Sequence, residues 1–177
     1  MVKLNPVRNP KDFIRNLSPD EAFLVLQKLF VEHPDLEEII CNTALKVVSN
    51  VDAEEIKNDL YGDLLSLDVE DLYARSGNGS YGYVCPHDES WGMFEEQVEP
   101  YIGEMEKYHQ RGLPHLVKEY CIGIIKGLVK FGEEGMTEFS DWVEDAPWDF
   151  IPNVVDCYKK TQPDKKDIEE VMRIAEL

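Results

Sequence analysis

Three groups of residues have types and spacings that could do chemistry. In SGNGSYGYVCPHDESWG, Ser76 to Gly92, the glycines Gly77, Gly79 and Gly82 stand in GxGxxG spacing, a pattern that can cradle phosphates. Cys85 and His87 follow as a CxH pair and could supply two ligands to a tetrahedral zinc. Glu106 and His109 form an ExxH pair, the spacing used in di-iron helical bundles.

Context weighs against each. A dinucleotide fingerprint needs a strand before its glycines and a helix opening within them, whereas LDVEDLYARS reads as helical and Ser80, Tyr81 and Tyr83 intervene before the next helix. A kinase loop would require VAIK-, HRD- and DFG-like motifs, and none occurs; nor does GxxxxGK[ST]. The glycines are therefore expected to give backbone freedom where the chain leaves a helical layer, with Tyr81 and Tyr83 pinning that turn to the core and Asp88 capping the helix that carries Trp91. Cys41, Cys121 and Cys157 lie 36 or more residues from Cys85, without a second metal-ligand pair. A di-iron site needs two ExxH motifs and two further carboxylates. Cys85, His87, Glu106 and His109 thus remain incomplete metal candidates, and no cofactor is expected. GxSxG is absent, and His33, His109 and His115 fall at expected helix ends, where exposed carbonyls commonly engage histidine.

The aromatics are more suggestive. Trp91, Trp142, Trp148, Phe150 and the Tyr81 and Tyr83 pair lie near chain bends amid acidic residues. They serve either core packing or an acidic, aromatic-lined groove for a basic peptide or helix. Charge points the same way, with 36 Asp and Glu against 18 Lys and Arg for a formal net charge of −18. Such a field repels phosphate backbones, so a protein or basic peptide is the expected partner and nucleic acid is not. The four scattered cysteines do not read as a disulfide framework. The segment MVKLNPVRNPKDF lacks an apolar core of signal-peptide length, and no apolar run approaches about 18 residues. No membrane contact is expected, and the expected compartment is the cytoplasm.

The positioning elements read as helices throughout. A polar arm, 1–17, turns helical at Pro10. SPDE from Ser18 supplies a capping box ahead of Phe23, Leu26, Leu29 and Phe30. Pro34 opens the second helix of an αα-hairpin, and Asp52 caps a third helix, with a short one after it. From Asp88, the residues Trp91, Phe94, Val98, Tyr101, Met105 and Tyr108 make a seam with steps of 3 and 4, through which Pro100 should bend the helix without breaking it. Gly112 stops that helix. Pro114 begins a central one, in which Gly123 and Gly127 allow a neighbour to approach closely. Residues from Thr137 to Lys160 form one broken helix or two short ones, and KKDIEEVMRIAEL is the last. The expected fold is all-α, about seven helices in antiparallel hairpins, forming a bundle or a short helical stack. The expected organisation is one domain over 18–177, with subdomains 18–76 and 88–177 joined by a loop at 77–87.

The segment from Leu67 to Leu128 contains Gly82, Tyr83 and Val84, then Trp91, then Val98, Glu99, Pro100 and Tyr101. In these it resembles the helical region that follows the zinc finger in microbial SWIM zinc-finger proteins, where a G-Y-V/Y turn precedes a helix with an aromatic and an acidic VEPF-like stretch. The likeness covers about a third of the chain, and the finger itself, CxC followed by CxH, is absent because there is no CxC. The resemblance implies a helical accessory module serving as a scaffold, and the finger's nucleic-acid binding does not carry over. The expected function is a helical interaction or scaffold module without its own chemistry, with homo-oligomerisation left open. The alternative is a small metal-dependent or carboxylate-based enzyme.

Overall fold

Side-chain caps open four of the helices in the computed structural model, which describes residues 9–49, 51–79 and 82–176. The chain divides into two compact units, Met1–Asn50 and Val51–Leu177.

In the first unit, Asn9 caps α1 (Pro10–Arg15) by accepting from the Lys11 amide. Ser18 opens α2 (Pro19–Glu32) with the capping box read from SPDE: its hydroxyl accepts from the Glu21 amide, and the Glu21 carboxylate accepts from the Ser18 amide at 2.9 Å. A 3-10 turn, Pro34–Leu36, leads into α3 (Glu37–Val48). None of the described residues of these helices is buried.

The second unit holds the core. Asp52 caps α4 (Ala53–Leu65) and Asp68 caps α5 (Val69–Arg75), each accepting from the amide two residues on. Next come β1 (Gly77–Gly79) and β2 (Gly82–Val84), paired antiparallel with Asn78 opposite Tyr83. Then follow α6 (Pro86–Gln110), α7 (Pro114–Glu134), a 3-10 turn at Ser140–Trp142, α8 (Ala146–Lys160) and α9 (Lys165–Ala175). The fold is all-α apart from this small ribbon. Helix α7 is central, packing against α4, α6, α8 and α9, with Leu116, Val117, Ile124, Ile125 and Leu128 buried.

The GxxxG spacing does what its small residues permit. A Cβ on Gly123 would stand 2.6 Å from the Ile56 Cβ, and one on Gly127 would stand 3.0 Å from Leu60 Cδ2. Helix α4 therefore seats directly on α7, and the unit boundary lies at 50/51, ahead of α4, whereas the sequence grouped α4 and α5 with the N-terminal helices. Polar ties reinforce that packing. Lys126 of α7 pairs with Glu54 of α4 at 2.7 Å, and the Tyr101 hydroxyl of α6 donates to Asp63 of α4 at 2.6 Å.

Four local expectations need correction. The glycine segment forms a two-stranded ribbon as well as a bend, with Gly77 (φ 97°) and Gly82 (φ 126°) in the positive-φ region that glycine enters without steric cost. Helix α6 starts at Pro86, whose fixed φ suits the first helical position, so Asp88 lies in the first turn and does not cap. Tyr83 is 68% exposed and does not pin the ribbon to the core; Tyr81 falls outside the described residues. Helix α8 runs unbroken through Pro152, as α6 does through Pro100. In both, the proline and the residue four before it, Trp148 or Glu96, are exposed, so water can reach that face of the helix.

Candidate functional site

The first turns of α6 place His87, Ser90, Trp91 and Phe94 on one side, since residues three, four and seven apart share a helix face. Trp91 and His87 lie with ring centroids 6.4 Å apart. Behind Trp91 stands Phe150 of α8, at 6.3 Å, which also meets Phe94 at 5.3 Å; Phe94 in turn meets Phe131 of α7 at 5.8 Å. Trp91 is thus held from the core side by a chain of aromatic contacts, each stabilising by about 0.5–1.5 kcal/mol beyond its burial.

The opposite wall comes from the segment between α7 and α8. There the 3-10 turn presents Asp141 and Trp142, and the approach to α8 presents Glu144 and Asp145. Two contacts fix this wall. The Tyr73 ring of α5 meets Trp142 edge-on at 5.9 Å and 89°. Ser90 is fully buried, and its hydroxyl lies 2.8 Å from the His87 carbonyl oxygen and 3.3 Å from that of Trp142, its one proton shared between them. Ser90 therefore ties the start of α6 to the 3-10 turn. Thr137 and Ser140 brace the same turn by reciprocal hydrogen bonds of 3.1 Å.

Between the walls lies a cleft of about 200 Å³ lined by His87, Trp91, Asp141, Trp142, Glu144 and Asp145. Both indoles are half-buried and the three carboxylates are exposed. Among the described residues, none of the three carboxylates takes part in an ion pair, and no basic side chain other than His87 lines the cleft. Such a site offers negative charge and π faces without a lysine or arginine of its own.

Two larger cavities differ in that respect. The one of about 620 Å³ beside the α6–α7 turn contains His109, His115 and Lys118, but Lys118 already bonds Asp167 and Glu170 at 2.8 Å each. Those carboxylates hold the ammonium's pKa above the ordinary lysine value, and Lys118 correspondingly lowers that of Glu170. The other, of about 500 Å³ between α4 and α7, is lined by Glu54, Lys57, Lys126 and Lys130 with Glu133 and Glu134. Here Lys126 and Lys57 bring Glu54 down to about 2. The first cavity thus holds one paired lysine and the second holds two, beside carboxylates without an ion pair among the described residues: Glu119 and Asp164 in the first, Glu133 and Glu134 in the second.

The residues singled out in the sequence are dispersed as follows. Trp91 and Trp142 share the cleft, and Phe150 backs it. Trp148 lies elsewhere, its indole against Gly132 of α7, where a Cβ would come within 2.7 Å of Cζ2. Cys85 and His87 stand at the start of α6, whereas Glu106 and His109 stand near its end. At a rise of about 1.5 Å per residue, His87 and His109 are about 33 Å apart and cannot share an ion. Among the described residues, no three His, Cys, Asp or Glu side chains are placed to hold a metal. Cys121 is buried in α7, which pushes its thiol up to about 12 and leaves it unreactive at neutral pH.

Sequence reasoning missed Ser90 and the individual acids Asp141, Glu144 and Asp145. Ser90 carried one signal, a hydroxyl residue in the inward sector of an amphipathic helix, next to Met93 and Phe94. Compared with protein-family models, curated proteins and solved structures, the chain matches none. Among the described residues, no helix is long and apolar enough to cross a membrane.

Proposed function

We propose that the Val51–Leu177 unit is a non-catalytic recognition module that binds a basic segment of a protein partner in the cleft between Trp91 and Trp142. A lysine or arginine head enters between the indoles, and Asp141, Glu144 and Asp145 supply the opposite charge. The observation that carries this reading is the convergence of two half-buried tryptophans with three carboxylates in a cleft that has no lysine or arginine of its own. A cation over an indole gains about 0.5–2 kcal/mol depending on desolvation. Anchoring tryptophans are the residue type on which binding energy concentrates. Net charge adds long-range steering of a basic partner toward this unit. The likeness of residues 67 to 130 to the SWIM-associated helical region agrees with an accessory, partner-binding role.

The test is titration of the protein with an arginine- and lysine-rich peptide, read by tryptophan fluorescence. Trp142→Ala is expected to weaken binding at least ten-fold, about 1.4 kcal/mol or more. The combined Asp141→Asn, Glu144→Gln and Asp145→Asn variant should weaken it comparably. A control with the same charge change, Glu95→Gln, Glu99→Gln and Glu169→Gln, should lose far less. Equal losses in the two charge variants would show diffuse attraction to an acidic surface and no dedicated site.

A further inference from the structure

The Met1–Asn50 unit has helices without a core. Among its described residues, Leu17, Ala22, Leu29, Leu36, Ile40 and Val48 are half-buried and none is buried. Its large apolar side chains instead face solvent: Phe23 is 60% exposed, Leu24 55%, Val31 80%, Ile39 60% and Val47 75%. Isolated helices of 14 and 12 residues are marginal in water unless tertiary packing covers an amphipathic face. Apolar exposure on this scale is unusual on a monomeric protein.

We propose that this unit is a self-association surface, and that a second copy of this chain covers α2 and α3. Two observations select that occupant. One is area. Nine large apolar side chains of α2 and α3 are at least 39% exposed, and together, spread around both helices, they leave on the order of 900 Å² open, comparable with the about 800 Å² per partner of a standard interface. Because both helices expose apolar residues, one copy offers the other the same surface it needs, which is the condition for a closed two-fold contact. The other observation is charge. Residues 1–50 contain seven Asp and Glu against six Lys and Arg, a net of −1, while residues 51–177 carry 29 against 12, a net of −17. Two copies repel through their second units, and the first unit is where contact costs little Coulomb energy. A strongly basic partner, suited to the acidic unit, has no electrostatic reason to choose this one.

On α2, Phe23, Leu26 and Phe30 follow one another at steps of 3 and 4 and form a single stripe, with no charged residue from Ala22 to Gln27. The test is sedimentation equilibrium of the full chain at micromolar concentration, with and without Phe23→Asp and Phe30→Asp. The expected result is a wild-type mass twice the 20.4 kDa of the chain, persisting in high salt. Each variant should weaken the dimer at least 100-fold, with thermal unfolding of the Val51–Leu177 core unchanged. A wild-type monomer overturns the proposal. If the monomer also loses thermal stability in Phe23→Asp, the stripe is covered by its own chain. If a monomeric wild type unfolds as the variants do, the surface is left for a different protein. Because binding of a basic peptide at Trp91 and Trp142 is measured separately, failure of either reading leaves the other standing.

Discussion

Ser90 is the smallest side chain on which the cleft depends. Its hydroxyl bridges the His87 and Trp142 carbonyls and so, with the Tyr73 contact, helps to set the position of Trp142 relative to Trp91. Ser90→Ala leaves those acceptors without this donor and should cost about 1 kcal/mol of stability, readable in urea unfolding. It should also weaken peptide binding without touching any group that meets the ligand; unchanged affinity with lowered stability would show that the 3-10 turn is held by Tyr73 and Thr137 instead. The sequence could nominate Trp91 and Trp142 as exposed-anchor types, but they lie 51 residues apart and nothing local announces that they meet. Trp148 was equally eligible and lies instead on Gly132, because residue type and nearby acid do not fix where a helix face points.

At the scale of elements, local signals were the legible ones. The Ser18 capping box, the Gly112 stop (φ 69°) and the α6 seam depend on residues within a few positions of one another and appear as read. The Gly123 and Gly127 pair stated that a helix comes close; which helix was hidden, and it is α4. Gly127→Leu must push Leu60 away from α7, and a loss of about 1–3 kcal/mol is expected from overpacking. Unaltered thermal unfolding would contradict that contact. The same α4–α7 junction has an acid-sensitive tie. Glu54 is held near 2 against an ordinary 4.5, chiefly by its hydrogen bonds to Lys126 and Lys57. Since its pKa is depressed on folding, its contribution is complete above about pH 4.5 and disappears as pH falls toward 2. Glu54→Gln should therefore show a shallower decline of stability than the wild type across that interval, while the exposure of this pair keeps the effect small. The glycine ribbon was the reverse case: three residues per strand are too few for alternation to show, and the glycines themselves, of which Gly77 and Gly82 take positive φ, were the only trace in the sequence.

For the whole molecule, composition anticipated an acidic helical protein, and the structure adds how charge and apolar surface are distributed. Nearly all the net charge belongs to residues 51–177, whose helices bury a core, while residues 1–50 are almost neutral and their helices bury none. That division was countable from the sequence once the boundary at 50/51 was known, yet the boundary depends on α4 seating against α7, a contact between residues about 67 apart. On the two proposals, the acidic unit meets a basic partner and the near-neutral unit meets a second copy. The central claim concerns the first. It is tested most directly by the change in peptide affinity between the Asp141, Glu144 and Asp145 neutral variant and the charge-matched Glu95, Glu99 and Glu169 control: recognition in the cleft predicts at least a ten-fold loss in the former and little in the latter, and indistinguishable affinities would contradict it.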